Sequence, residues 1–471
     1  MKKALVLALL AVFTFTVFTS CAAKDLELLD FLNAGTDDLD YDGREVLLIG
    51  EVDVDSGMFI DSQIVDGTVL YDEVMGRIKE INKKYNVNIV YDCLGLNNTY
   101  EQYFTALMSS GICPGDIVYG HSDSKMQIFA ESGYLYPLTY LNDYIDYEDS
   151  SKFGSAGILE CSMVDGVPYA VQPVLWPGFQ DNFDYVIVYN PTMVLQQGLP
   201  NLHEYYENET WTWETFQPII ENFDKGGDAE LYALSTVEDS FAKMAFGSNG
   251  VKCVDYIDGV LKTDITAAKA VTALEWMQNI LLNNKDTVKI TDNWKLDDFI
   301  NSRVMMSMAA TPDLTTGNLQ FDSDIHFSIM PFPSGPDATY GEWAQYAAAI
   351  RGFAIPSNSD APELSAMIIS DLFEPFDQFG GEAGLADYFN ENVFFDPIDT
   401  EIYLTVGQNI RYTYWRTETS INTLFSEAGK LYKSSSAMEI LQSVEPQLSS
   451  FIEETLASNY ENYIHEHLYA E

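Results

Sequence analysis

Short β-rich runs alternate with amphipathic helix patterns along this chain, and that alternation limits its fold more than any other feature. Apolar residues dominate 45–52, 87–91 and 116–119, three runs of strand length. Between the first two runs, apolar side chains recur at helical spacing on one face: Leu70, Val74, Ile78, Ile81 and Tyr85. A second helix is predicted over 100–110. Strands joined by helices predict right-handed crossovers and a mainly parallel sheet with helices on both faces.

A second series of strands and helices follows an extended, proline-containing segment at 165–173. The predicted strands are 185–189, 303–309, 325–330 and 347–355, and the predicted helices are 212–223, 263–282 and 361–373. The final hundred residues are predicted to be helical, with Pro446 dividing the last long stretch because proline lacks the N–H of a helix interior. The length of 471 residues suits about three ordinary domains or two larger lobes.

The charge balance excludes several partners. Asp and Glu number 72 against 24 Lys and Arg, which gives a net charge of −48. Nucleic acids and anionic membrane surfaces are recognised by clustered Lys and Arg, so neither is an expected partner. At the same time 47% of the residues are hydrophobic, enough to bury a large core, so the chain is not a disordered acidic tail.

The first 20 residues have the pattern of an export signal. Lys2 and Lys3 precede an uncharged run at 4–19, which is too short for a membrane-spanning helix and leads through Ser20 into Cys21. The stretch resembles a bacterial lipoprotein signal, in which Cys21 becomes the lipidated first residue and anchors the protein to the outer face of the cell membrane. The alternative is an ordinary signal peptide cleaved nearby. Residues 21–43 then form an acidic tether.

Motifs for metals, cofactors and catalysis are missing from the sequence. Asp38, Asp40 and Asp42 match the start of an EF-hand loop, but Ile49 stands where a bidentate glutamate is needed, so an acidic linker is the preferred interpretation. The sequence has no GxSxG, HExxH or Walker motif. No cofactor is predicted. Four further cysteines permit two disulfides or buried free thiols: Cys93, Cys113, Cys161 and Cys253.

An ordered series of segments resembles the extracellular solute-binding proteins of family 1, the sugar-binding lipoproteins of ABC transporters that are similar to maltose-binding protein. The series contains Tyr-Asn-Pro at 189–191, Gly-Leu-Pro at 198–200 and Thr-Trp-Glu at 212–214. It continues with the segment 299–306, the proline-rich exit at 330–336 and the strand at 352–356. Pro114 to Val118 and Gly133 to Leu138 are similar to first-lobe segments of the family.

The resemblance implies a two-lobed α/β fold of the type II periplasmic-binding-protein kind, each lobe a mainly parallel sheet flanked by helices, with a hinge between them. The expected first lobe is 44–170 plus 351–415, and the expected second lobe is 171–350 plus 416–471. The chain would cross between the lobes at 169–173 and 350–355, with a third crossing near 412–416. Closure about such a hinge surrounds a small molecule with protein.

The resemblance also implies a function, namely capture of a carbohydrate, expected to be an oligosaccharide, and its delivery to the permease of an ABC importer. A monomer that is not an enzyme is expected. Sugars need flat apolar faces and groups that bind hydroxyls, so we select residues in or beside the inter-lobe segments and at first-lobe strand ends. They are Gln172, Trp176, Asp313, Trp343, Tyr346, Trp415, Asp55, Asp123 and Trp294. Trp211, Trp213 and Trp276 are assigned instead to helix packing.

Two alternatives stay open at this point. The same fold could bind a polyamine, a peptide or a chelated metal, and the strongly negative charge keeps a cationic solute in consideration. A secreted carbohydrate-active enzyme or an adhesin is the other alternative. The 72 acidic residues make chance pairs of carboxylates common, so such pairs alone do not indicate glycoside hydrolysis.

Overall fold

The computed structural model describes residues 39–50, 58–59, 61–65, 69–95, 98–121, 125–153, 159, 162–164, 166–173, 185–257, 260–291, 296–310, 313–314, 319, 326–341, 345–346, 351–376, 381–408, 410–411 and 419–453. The strands are β1 (Arg44–Gly50), β2 (Met58–Phe59), β3 (Asp61–Val65), β4 (Val87–Cys93), β5 (Ile117–His121), β6 (Met163–Val164), β7 (Val167–Pro168), β8 (Ala170–Val171), β9 (Val186–Tyr189), β10 (Tyr232–Thr236), β11 (Asp255–Ile257), β12 (Val260–Lys262), β13 (Val288–Ile290), β14 (Val304–Ala309), β15 (Ser328–Met330), β16 (Gln345–Tyr346), β17 (Arg351–Ala354) and β18 (Ile410–Arg411).

The helices are α1 (Val69–Tyr85), α2 (Asn98–Ser109), α3 (Gln127–Glu131), α4 (Ser150–Phe153), α5 (Pro191–Gln196), α6 (His203–Glu207), α7 (Trp213–Glu221), α8 (Glu238–Ser248), α9 (Ala268–Asn283), α10 (Asp297–Ile300), α11 (Pro362–Leu372), α12 (Gly381–Asn392), α13 (Pro397–Gln408), α14 (Thr419–Leu431) and α15 (Ala437–Phe451). A short 3₁₀ helix spans Leu138–Leu141. The α/β prediction is confirmed by this mixture of sheets and helices.

Two five-stranded sheets form the centres of two lobes. The first sheet has the order β4-β1-β5-β17-β8, in which β1 is parallel to β4 and β5 while β17 is antiparallel to β5 and β8. The second has the order β13-β10-β14-β9-β15, in which β10 is parallel to β13 and β14 while β9 is antiparallel to β14 and β15. The residue boundaries expected for the two lobes stay a prediction.

Helix α1 covers the first sheet with the apolar face predicted from its spacing. Leu70, Val74, Ile78, Ile81 and Tyr85 are all buried, and α1 contacts β4. Lys83 and Lys84 occupy its last turn, where their positive charge stabilises the helix by interacting with the partial negative charge of its carboxyl end. The periodicity of this segment therefore defines both the helix and the surface that it buries.

Arg77 on α1 holds the helix that follows the returning strand β17. Its guanidinium donates to the carbonyl oxygen of Asp371, in the last turn of helix α11, at 3.1 Å and to that of Glu374, just beyond the helix, at 2.8 Å. The same group lies 4.6 Å from the ring centroid of Phe376. Arg77 thus links the segment that follows β17 to α1, a helix that lies much earlier in the chain.

Three tryptophans fill the core of the second lobe, as predicted. Trp211, Trp213 and Trp276 are buried. The rings of Trp213 on α7 and Trp276 on α9 stack with centroids 4.2 Å apart and an interplanar angle of 2°. Trp276 also stacks on Phe241 of α8 with centroids 5.3 Å apart. One aromatic cluster therefore joins three helices of this lobe.

A buried histidine–aspartate pair fixes α13 to the outer strand of the second sheet. The Nε2 atom of His203 lies 3.0 Å from Oδ1 of Asp399, and both side chains are almost completely buried. The same Oδ1 accepts a hydrogen bond of 2.7 Å from the backbone N–H of Ile329 in β15. A second carboxylate, that of Asp396, lies 3.6 Å from Nδ1 of His203. Three elements, α6, α13 and β15, meet at this pair.

In each sheet, a backbone N–H of an outer strand donates a hydrogen bond to a side chain from a neighbouring helix. In β15 this is the Asp399 carboxylate, which accepts from Ile329. In β4, the outer strand of the first sheet, the backbone N–H of Ile89 donates to Oδ1 of Asn82 at 3.0 Å.

The prediction that Pro446 divides the last helix is wrong. Helix α15 runs through Pro446, which lies on its exposed side together with Gln442. The carbonyl of Gln442, which loses its helical donor to the proline, belongs to a solvent-exposed residue. The opposite side of the helix buries Ile440, Leu441, Val444 and Leu448. Burial of that apolar face keeps the helix continuous despite the missing hydrogen bond.

Candidate functional site

Two of the predicted crossing segments lie side by side in the first sheet. Strand β8 is antiparallel to β17, with Val171 paired with Phe353 and Ala170 paired with Ala354. A further pair of short strands joins segments that adjoin the second and third predicted crossings in sequence. Strand β16, which precedes β17, is parallel to β18, and Tyr346 is paired with Arg411. The remainder of the expected third crossing, 412–416, lies outside the described residues.

Four strands of the first sheet point in the same direction and end at one edge, which we call the first carboxyl edge. Strands β1, β4 and β5 are parallel and end at Gly50, Cys93 and His121. Strand β8 has the same direction because β17 is antiparallel to both β5 and β8. Gln172 is therefore the first residue beyond the end of β8. Ligands of open α/β sheets bind beyond such strand ends.

Gln172 is a buried polar residue with an unsatisfied acceptor. Its side chain is only 4% exposed, and its Oε1 atom has no hydrogen-bond partner in the structure. A buried amide oxygen without a donor destabilises the folded protein by about 1–3 kcal/mol. Such an atom is compensated when a ligand supplies the missing donor, and a sugar hydroxyl is a suitable one.

The second carboxyl edge is formed by the ends of β10, β13, β14 and β15, at Thr236, Ile290, Ala309 and Met330. Asp313 follows β14 in a tight turn in which its Oδ2 accepts from the N–H of Ala310 at 3.2 Å. Its own N–H donates to the carbonyl of Ala310 at 3.0 Å. Burial raises the pKa of this carboxyl above its ordinary value, in part offset by the hydrogen bond from Ala310. The turn therefore fixes one acidic group at the strand end.

Most of the other predicted site residues lie outside the described residues. Tyr346 is described only in its backbone, as part of β16 beside α8. The remaining ones are not described: Asp55, Asp123, Trp176, Trp294, Trp343 and Trp415, together with Cys21. Gln172 and Asp313 are thus the two whose side chains the structure describes, one at each carboxyl edge. Their roles as ligand contacts stay predictions.

Two basic residues near the first carboxyl edge are not among the residues selected from the sequence. Arg351 begins β17 and is paired with His121, the last residue of β5. Lys125 follows β5 by four residues, is only 7% exposed, and has its Nζ 6.0 Å from the ring centroid of Tyr100 near the start of α2. The scarcity of basic residues in the whole chain was the signal that could have drawn attention to them.

The described residues add little to other kinds of site. Cys113 and Cys253 are free thiols, and burial raises the pKa of Cys253 to about 12. Within the ranges given above, no three His, Cys, Asp or Glu side chains are grouped to hold a metal ion. Asp40, part of the EF-hand-like segment, instead accepts from the N–H of Asp42 at 2.9 Å and from Asn86 at 2.7 Å. None of the described helices has the length and apolar character that crossing a bilayer requires.

Comparison with protein families now gives the class of the protein. Residues 76–375 match the model of the bacterial extracellular solute-binding proteins. That match covers more than half of the chain, so the chain belongs to this family, as its sequence resemblance predicted. Family membership assigns it to the binding proteins that act outside the cytoplasm. A search of curated proteins finds no significant match.

Solved structures show the same fold at low sequence identity. An ABC substrate-binding protein from Listeria monocytogenes in complex with cycloalternan is 15% identical, with 88% of this chain and 100% of that chain covered and a TM-score of 0.57. The galacto-N-biose/lacto-N-biose I-binding protein from Bifidobacterium longum, in complex with lacto-N-biose, is 14% identical, with 88% and 98% covered and a TM-score of 0.57. UgpB from Mycobacterium tuberculosis, in complex with glycerophosphocholine, is 16% identical, with 87% and 99% covered and a TM-score of 0.57. The expected two-lobed binding-protein fold is confirmed.

Proposed function

We propose that this protein is the binding component of an ABC importer and captures a carbohydrate between its two lobes for delivery to a membrane permease. The observation that carries the proposal is the buried, unpaired Oε1 of Gln172, at a crossing strand and at the first carboxyl edge. Two of the similar structures, those with cycloalternan and lacto-N-biose, bind oligosaccharides. We also propose the lobe boundaries given above, and a monomer that binds without turnover.

A non-sugar solute is the second candidate. UgpB, which has the same fold, is in complex with glycerophosphocholine, so the fold alone does not require a sugar. The experiments below therefore include solutes of both kinds.

Replacing Gln172 by leucine is expected to change affinity and stability in opposite directions. Loss of one ligand hydrogen bond should weaken sugar binding by about five- to tenfold, measured as Kd by titration calorimetry. The unliganded protein should become more stable by about 1 kcal/mol, measured by denaturant unfolding, because a buried acceptor without a donor is removed.

Gln217→Leu is the matched control, since Gln217 is a half-buried glutamine on α7 that donates to Glu221. That variant should leave Kd unchanged. If Gln172→Leu lowers stability and preserves Kd, then Gln172 is a core residue and the proposal loses its main support. Chromatography of the titrated sugar tests the absence of turnover, and hydrolysis products would contradict a purely binding role.

We further propose that Cys21 carries a lipid anchor on the extracytoplasmic face of the membrane. Removal of the thiol in Cys21→Ser is expected to shift the protein from the membrane pellet to the soluble fraction after cell fractionation, because the anchor attaches through that sulfur. Cys113→Ser, which also removes an exposed thiol, should stay in the pellet. A soluble wild-type protein would instead support the ordinary signal peptide.

A further inference from the structure

Asp313, at the second carboxyl edge, carries a charge that no basic side chain of the described residues balances. Its carboxylate accepts a hydrogen bond from the N–H of Ala310 at 3.2 Å. Burial raises the pKa of this carboxyl and the hydrogen bond from Ala310 lowers it, and no charged neighbour within the described part of the chain contributes. A half-buried carboxylate without a positive partner is unfavourable, because it loses hydration that nothing replaces.

Two other acidic residues at this edge have structural roles. Glu238 and Asp239 follow strand β10 and lie in the first turn of α8, where negative charge interacts favourably with the amino end of the helix. Nζ of Lys433 lies 3.5 Å from Oε1 of Glu238, and Asp239 accepts from the N–H of Ser240 at 2.7 Å. Helix α8 and an ion pair therefore account for these two charges, whereas neither accounts for the charge of Asp313.

The turn that contains Asp313 needs an acceptor but does not need a charge. The side-chain oxygen of an asparagine can accept from the N–H of Ala310 in the same geometry. The hydrogen bond thus explains a polar side chain at this position and leaves its ionisation unexplained. Asp313 follows strand β14, and ligands of open α/β sheets bind beyond such strand ends. A positive group of the solute is therefore a suitable partner for this carboxylate.

The first carboxyl edge contributes an acceptor of its own. Gln172 is only 4% exposed, and its Oε1 atom has no donor. An amide oxygen and a carboxylate both accept hydrogen bonds, so a solute held by these two residues must donate to both edges. A sugar hydroxyl can donate to either, but an ammonium group also supplies the positive charge that Asp313 lacks. Hydrogen bonds between charged groups are roughly twice as strong as neutral ones.

The other charges of the protein are compatible with a positively charged solute. A net charge of −48 attracts cations from a distance and raises their rate of association. Lys125 and Arg351, near the first carboxyl edge, each make other interactions within the protein. Their charges are therefore not assigned to the solute.

We propose that the captured carbohydrate is an amino sugar, whose protonated amine is bound by the carboxylate of Asp313 while another of its donors reaches Oε1 of Gln172. This inference rests on the proposed function and narrows the substrate class from carbohydrates in general to basic saccharides. Closure of the lobes would bring the two carboxyl edges onto the solute from opposite sides.

A panel of four probes tests the proposal with the purified protein by titration calorimetry. The trimer of glucosamine carries protonated amines, its N-acetylated form has the same skeleton without the charge, maltotriose is a neutral sugar of equal length, and spermidine is a cation without a sugar. The glucosamine trimer is expected to bind at least about tenfold more tightly than either neutral trimer. This preference should shrink between about 0.05 and 0.5 M salt, because salt screens the charge interaction.

Variants assign the preference to Asp313. Asp313→Asn keeps an acceptor for Ala310 but removes the charge, so the ratio of affinities between the glucosamine trimer and its N-acetylated form should fall from at least about tenfold to about one. Asp239→Asn is the matched control, the same substitution at the same edge, and should preserve the ratio. Gln172→Leu should weaken both trimers by similar factors, since its oxygen accepts from a hydroxyl or an amine.

The stability of the unliganded variant gives an independent measurement. Asp313→Asn should unfold at the same or a higher denaturant concentration than the wild type, because it removes a half-buried charge and keeps the turn. A clear loss of stability would show that the carboxylate serves the fold, and would overturn the inference.

The binding outcomes separate this inference from the proposed function. Equal binding of the three trimers, or tighter binding of a neutral one, overturns the inference and leaves carbohydrate capture intact. A preference for the glucosamine trimer that survives in Asp313→Asn also overturns it. Binding of spermidine without binding of any trimer overturns both proposals, and failure of all four probes to bind counts against both.

Discussion

Replacing Asp399 by alanine is expected to lower the free energy of unfolding by about 3–5 kcal/mol, because removal of one partner leaves the buried His203 and the N–H of Ile329 without an acceptor. In a lobe of this size the melting temperature should fall by roughly 10 °C. Chemical denaturation and calorimetry measure the two quantities. Asp396→Ala is the control for position: its carboxylate is farther from the imidazole and partly exposed, and it accepts from the N–H of Ile398 at the start of α13, so a loss of only about 1 kcal/mol is expected.

The same pair should make stability depend on pH. Burial acts to lower the pKa of His203, but the hydrogen bond and charge of Asp399 outweigh it and raise that pKa above its ordinary value. Burial also raises the pKa of the Asp399 carboxyl, so both shifts keep a proton in the pair to higher pH. A raised pKa in the folded state stabilises fully below the unfolded value, about 6.5 for histidine, and this contribution is lost as the pH rises through the folded value.

The test compares unfolding free energies of the wild type and Asp399→Asn from pH 5.5 to 8.5. The advantage of the wild type should shrink as the pH rises. Using the difference cancels the general repulsion among the other carboxylates, which changes over the same range. An advantage that stays constant or grows with pH contradicts the assigned shift. The double variant His203→Leu/Asp399→Leu should lose less than the sum of the two single variants, because neither charge is then left buried alone.

Replacing Trp276 by alanine is the second large expected effect, a loss of about 3–5 kcal/mol of unfolding free energy. The ring fills the space between α7, α8 and α9 and contacts Trp213 and Phe241. Its removal leaves a cavity that can close only if these three helices move toward one another. Denaturant unfolding measures the loss.

Trp276→Phe supplies the control for volume. The indole Nε1 of Trp276 is buried without a hydrogen-bond acceptor, so phenylalanine loses some packing but also removes an unsatisfied donor. A loss of only about 1 kcal/mol is expected. Both variants should abolish the near-ultraviolet circular dichroism that arises from the parallel Trp213–Trp276 pair. Equal losses for alanine and phenylalanine would show that packing volume is not what stabilises this cluster.

Local pattern predicted the parts of the fold that depend on local physics. The spacing of Leu70, Val74 and Ile78 predicted both α1 and its buried face, because helical periodicity can be recognised within a single segment. The pairing of β8 with β17 has no such signal, since it joins strands of two and four residues that are far apart in the chain. It was expected only through the family resemblance. Pro446 shows the opposite error, where burial of one helix face overrode a local preference.

The site was less accessible from sequence than the fold. Gln172 was named because of the segment in which it lies, but the missing partner of its Oε1 is visible only once the surrounding residues are arranged. The position of Arg351 beside His121 has no sequence signal, because β-strand register, not sequence neighbourhood, brings the two together. His203 and Asp399 are far apart in the chain, and among 72 acidic residues nothing in the sequence identifies Asp399 as the partner of His203.

The side chains of Asn82 and Asp399 have a consequence beyond the lobes in which they lie. An outer strand with unoccupied N–H groups is a template on which a strand from another molecule can add. Here one such donor in each sheet, that of Ile89 and that of Ile329, is already bonded within its own molecule. Copies crowded together should therefore resist joining through their sheets, and an Asn82→Ala or Asp399→Ala protein carries a risk of ordered aggregation that its loss of stability alone does not describe.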